Sequence, residues 1–139
     1  MGRGSKMRES DIKKTADALA AEYQTHEPFS LCRAMGIDVL FVPLTDTVRA
    51  FTFTVPEKGI DQIFLDDSLG EEEQTVLLSH ELGHRVLHGG LNSFFLRRRT
   101  NFPLGGYERE ADCFARCLLS ETTLDLTNVD PAVREILLK

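Results

Sequence analysis

A chain of 139 residues with 42% hydrophobic and 27% charged side chains suits one soluble globular domain, long enough to bury a core without staples. Its net charge of −6 argues against nonspecific nucleic-acid binding, and no apolar run approaches the ~18–20 residues of a membrane span. The charged, polar N-terminus shows no signal peptide. Three cysteines, Cys32, Cys113 and Cys117, are an odd and sparse set that fits a reducing compartment.

In chain order, residues 1–9 read as a disordered tail or a vector-derived remnant, and residues 10–139 as a single domain. Residues 11–24 read as a helix with Ser10 as N-cap and Ile12, Ala16, Leu19, Ala20 and Tyr23 on one side. Residues 28–35 form a short second helix stopped by Gly36. The period then changes: residues 37–42, 48–55 and 60–65 are rich in β-branched and aromatic side chains and read as strands. A turn at residues 56–59 makes the second and third an antiparallel hairpin. A central helix follows, opened by a capping box over residues 68–71, with Glu71, Glu72 and Glu73 at the positive end of its dipole, and closed by Gly89 and Gly90. After a loop over residues 91–106 comes another helix, and Asp130 and Pro131 open a last one running to Lys139. The expected fold is α+β: a small antiparallel sheet packed on a buried central helix, with flanking helices. Within the loop, Phe94, Phe95 and Leu96 either cover the core or line a substrate cleft. Arg97, Arg98 and Arg99 are either solvated or grip an acidic segment or a phosphate.

The central helix carries His80-Glu81-Leu82-Gly83-His84. Positions i and i+4 stack on one helix face, so two imidazoles there can share one Zn²⁺. Glu81 points about 100° away around the axis, where it serves as general base toward a water at the metal's open position rather than as a ligand. Val76, Leu77, Leu78, Leu82, Val86 and Leu87 surround this helix almost completely, which predicts burial. Buried histidines beside a buried Glu need partners, and a metal supplies them.

A catalytic zinc takes three protein ligands and one water. His88 lies a full turn, about 5.4 Å, beyond His84, so it cannot converge on the same ion; it is expected beside the site, packed or in support of a ligand. In the helix beginning near residue 107, Ala111, Phe114, Ala115, Leu118 and Leu119 form one apolar arc, with Glu108 and Asp112 at its edge. Glu110 falls about 160° from Glu108, on the side of Cys113 and Cys117. Glu108 is therefore the expected third ligand, with Glu110 the alternative. Asp112 is expected to accept a hydrogen bond from a ligating imidazole and fix its tautomer. Glu110, pointing away, is expected to be dispensable for metal retention. A competing Cys113–Cys117 metal site lacks further ligands.

Residues 80–88 followed by residues 108–119 resemble the ImmA/IrrE metallopeptidases, gluzincin-type proteins whose third ligand is a Glu followed four residues later by Asp or Asn. Residues 28–39 and 60–66 are similar to the family's short helix, first strand and the strand before the motif helix. The likeness spans roughly residues 10–120. It departs at Ser120-Glu121, where the family commonly has Met-Pro, outside the metal motif. The resemblance implies a cytoplasmic zinc protease of bacteria and their mobile elements. Such a protein cleaves, or promotes loss of, a helix-turn-helix repressor and so relieves repression after stress or DNA damage. On that reading His80, His84 and Glu108 hold Zn²⁺, Glu81 is the general base, and Tyr107, Arg109 and His88 are candidates to steady the carbonyl oxygen. The rival reading is a zinc-stabilised binding protein that sequesters a transcription factor without cutting it.

Overall fold

The computed structural model describes residues 7–89, 92–96 and 105–138. The elements are α1 (Glu9–Tyr23), α2 (Pro28–Met35), β1 (Asp38–Val42), β2 (Val48–Val55), β3 (Ile60–Asp66), α3 (Glu71–Leu87), β4 (Phe94–Leu96), α4 (Gly106–Leu118) and α5 (Pro131–Leu137). Glu27 begins α2 by accepting from the backbone N–H groups of Phe29 and Ser30. Gly36 ends it at φ +77°, a conformation that favours glycine. Asp130 caps α5 through the Ala132 N–H. The α1 helix starts earlier than its sequence signals suggest: Arg8, not Ser10, occupies the N-cap. Met7, Arg8 and Glu9 thus belong to the folded body rather than to a tail; residues 1–6 lie outside the described residues.

The sheet order is β1-β3-β2-β4. As expected, β2 and β3 pair antiparallel, and β2 also pairs antiparallel with β4. β1 departs from the all-antiparallel expectation. It pairs parallel with β3, because the chain reverses direction between β1 and β2 and again between β2 and β3, while β4 occupies β2's other edge. The α+β class holds, with a mixed sheet. Period-2 alternation turns Ala50, Thr52, Thr54, Ile63, Leu65 and Phe95 inward, all buried. On the opposite face Leu40, Phe64, Phe51 and Phe94 form one row across the four strands, with Phe51 stacked on Phe64 at 4.6 Å.

The α3 helix runs through the centre, packed against α2, α4, α5 and the inner face of β2 and β3. Val76, Leu77, Leu78 and Leu82 are all fully buried; burial of four such side chains contributes roughly 6–12 kcal/mol before conformational entropy is counted. The helix start differs from the predicted Ser68 box: Gly70 is the N-cap, and Glu73 accepts from its N–H at 3.1 Å. Ser68 instead bonds Asp66, which also accepts from Leu44 N–H and pairs with Arg49. Among the described residues, no helix is long and apolar enough to cross a membrane.

Where α3 crosses α4, Gly83 has no room for a side chain. A Cβ there would meet Phe114 Cβ at 3.0 Å and the Ala111 carbonyl oxygen at 3.2 Å. Neither atom is the far end of a flexible side chain. Gly83→Val is therefore expected to wedge the helices apart and to cost about 1–3 kcal/mol or more by overpacking. Denaturant unfolding checks this; wild-type stability in the variant would show that the crossing is looser than these distances imply.

Candidate metal centre

Two helices build the site. His80 and His84 are successive-turn neighbours on α3, each 1% exposed, and α4 brings Glu108 across from the facing side. Glu108 Oε1 lies 3.1 Å from His80 Nε2, and Oε2 lies 3.0 Å from His84 Nε2. One candidate ligand atom from each residue falls within 4.8 Å of the others, and among the described residues this is the one group of three that could hold a metal ion. Bonds of about 2.0–2.1 Å in a tetrahedral arrangement put ligand atoms about 3.3 Å apart, close to these separations. The donor chemistry fits zinc: two imidazole nitrogens and a carboxylate turned toward one point. Asp112, one turn after Glu108, sets Oδ1 2.8 Å from His80 Nδ1, which leaves Nε2 facing the group.

The charges are mutually dependent. Burial pushes His80 down, but hydrogen bonds to Asp112 and Glu108, with the nearby Glu81 charge, overcome it and raise its pKa to about 9. Burial pushes Glu108 up, yet its hydrogen bonds to His80 and His84 and their charges hold it well below the carboxylate range. Burial lowers His84, opposed by its bond to Glu108.

Glu81 is fully buried, with Ser93 Oγ donating to Oε1 at 3.1 Å. Ser93 is itself fixed by Thr52 of β2: Ser93 N–H donates to Thr52 Oγ1, and Thr52 N–H donates to the Ser93 carbonyl, both at 2.9 Å. Phe95 settles one open question about its loop. It is 1% exposed and meets the His80 ring edge-on at 5.3 Å, whereas Phe94 is 59% exposed. The Arg97–Arg99 run lies outside the described residues.

His88 takes no place among the three convergent groups. Its Nδ1 faces His84 Nδ1 at 3.0 Å and its Nε2 faces Glu110 Oε1 at 2.8 Å. With both ring nitrogens engaged, it has no free donor for a substrate oxygen. Tyr107 packs on the His88 ring at 4.4 Å and is 40% exposed; Arg109 is exposed. Glu110 points away from the group, as its helical angle predicts, but it is buried at 5% exposure rather than solvated. The reason is α1, which packs on the far side of α4. Sequence reasoning weighs Glu110 only as an alternative ligand, not as the partner of His88, and does not single out Ser93, whose local pattern marks no role. Cys113 is buried beside α1, and its thiol is pushed up to about 11 by burial and by Cys117.

The model of peptidase family M78, described as the IrrE N-terminal-like domain, matches residues 32–126, a span that contains both helices of the site. A protein of Bacillus phage phi105, "Uncharacterized immunity region protein 2", is 34% identical over 108 residues, covering 78% of this chain and 67% of the relative. No solved structure matches the chain significantly.

Proposed function

This chain belongs to the IrrE N-terminal-like peptidase family, and from that premise we propose that it is a cytoplasmic zinc-dependent endopeptidase. Its substrate is a partner protein, a helix-turn-helix transcriptional repressor whose cleavage relieves repression. The observation that carries the reading is the convergence of His80, His84 and Glu108, with Asp112 behind His80 and Glu81 on the same helix. The likeness to a phage immunity-region protein supports a repressor as partner.

His80, His84 and Glu108 hold the ion, and Asp112 fixes His80 as the tautomer that presents Nε2. When bound, zinc supplies Lewis acidity toward water and the scissile carbonyl. Glu81 takes the proton from the attacking water and passes it to the leaving amine. Ser93 holds that carboxylate in place by its O–H bond. With His88 already committed, Tyr107 and Arg109 remain the candidates to steady the carbonyl oxygen.

A second reading has one observation in its favour: Glu81 is fully buried, which suits a zinc-stabilised protein that sequesters its partner without cutting it. Against it, Glu108 keeps 31% of its side chain exposed, so the group opens to solvent on that side. Structural zinc sites are normally closed by four protein ligands. Incubation of the zinc-loaded protein with the repressor, followed by mass spectrometry, separates the two. Defined fragments that vanish with a chelator are expected; an intact repressor under catalytic loading favours sequestration.

Asp112→Ala is expected to weaken zinc binding about 10–100-fold without abolishing it. Competition against a chromogenic chelator measures this. An unchanged dissociation constant would reduce Asp112 to a packing role.

A further inference from the structure

His88 and Glu110 form a chain of hydrogen bonds leading away from the metal group, and its direction is set by valence. To present a lone pair at Nε2 toward an ion, His84 must carry its proton on Nδ1. That N–H then donates to His88 Nδ1, 3.0 Å away, so the His88 nitrogen must be bare. The His88 proton is thereby placed on Nε2, where Glu110 Oε1 accepts it at 2.8 Å. The second oxygen of Glu110 accepts the Met7 N–H, also at 2.8 Å. A carboxylate that accepts from two N–H groups is held in place by both α3 and the start of α1.

The opposite arrangement is what the chain prevents. With no acceptor at Nε2, His88 is free to carry its proton on Nδ1, pointed at His84. His84 must then expose a bare Nδ1 and put its own proton on Nε2, the position that faces Glu108. That tautomer cannot bind a metal through Nε2.

We propose that Glu110, acting through His88, is a positioning residue that fixes the tautomer of His84 and thereby strengthens metal binding from outside the ligand set. The proposal rests on the zinc reading above. It revises the expectation that Glu110 is dispensable: saturating zinc still fills the Glu110→Ala protein, but with lower affinity. Asp112 does for His80 in one bond what Glu110 does for His84 in two.

The test measures zinc dissociation constants of the full chain by chelator competition for wild type, Glu110→Ala, Glu110→Gln, His88→Phe and the Glu110→Ala/His88→Phe double variant. His84→Ala is the reference for a lost ligand, and thermal unfolding of the metal-free proteins follows the fold. Glu110→Ala and His88→Phe are each expected to weaken zinc about 10–100-fold, and the double variant no more than the worse single one, because both break the same chain. Glu110→Gln keeps a carbonyl acceptor for His88 and is expected to recover most of the affinity. Long-range ¹H–¹⁵N spectra of the zinc-loaded wild type are expected to show His88 protonated on Nε2, and those of Glu110→Ala a mixture of tautomers. Wild-type affinity in Glu110→Ala, additive losses in the double variant, or His88 protonated on Nδ1 in wild type would each overturn the relay. A wild-type protein that binds zinc no better than His84→Ala would instead overturn the metal reading beneath it.

Discussion

The Glu81→Gln protein is expected to fold, retain its zinc and lose about 10²–10⁴-fold in partner cleavage, the usual effect of removing a general base. Glutamine matches the shape of a side chain that α3 buries completely, so packing is preserved. Its carbonyl oxygen still accepts the Ser93 hydroxyl that now bonds Glu81 Oε1. Only the capacity to take a proton from water is removed. Glu81 lies outside the group formed by His80, His84 and Glu108, so metal content should match wild type. A cleavage time course at equal zinc loading reads the effect. A rate within a few-fold of wild type would mean that another group accepts the proton.

Glu108→Ala is expected to strip the protein of most of its zinc while leaving the fold standing. Apparent binding energies of about 10–16 kcal/mol shared over four ligands put one ligand at about 2.5–4 kcal/mol, roughly 10²–10³-fold in affinity. The fold should survive because Glu108 is the most exposed member of the group, at 31%, whereas α4 is anchored by Ala111, Phe114, Ala115 and Leu118. His80→Ala and His84→Ala should lose the ion as well, at greater cost to packing, since both rings are buried. Metal analysis after gel filtration checks all three. Retention of one zinc by Glu108→Ala together with its complete loss from Glu110→Ala would reverse the assignment of the third ligand.

The parts of the fold that sequence made legible are those with a period long enough to read. The α3 helix announced itself by apolar residues on every side, and β2 and β3 by β-branched alternation around a Pro–Gly turn. The same reasoning placed Glu108 and Asp112 on the face of α4 toward α3, because 100° per residue is a strong constraint over one turn. It failed where the determinant is tertiary. β4 is three residues long, too short for periodicity, and its pairing with β2 decides that Phe95 rather than Phe94 enters the core. β1 docks on β3 while β4 occupies β2's other edge, a placement invisible in β1 itself. The expectation that Glu110 is dispensable rests on its helical angle, which gives direction but not what lies there. With α1 packed against α4, the back of α4 is interior too, and a buried carboxylate there needs donors, which Met7 and His88 supply.

The central proposal is that relief of repression depends on cutting, and co-expression of the chain with the proposed helix-turn-helix repressor tests it most directly, by following reporter output and repressor length together. Wild type is expected to raise the reporter as the repressor shortens, and Glu81→Gln to do neither. Reporter activation by Glu81→Gln with the repressor at full length would contradict the protease account and leave sequestration as the mechanism.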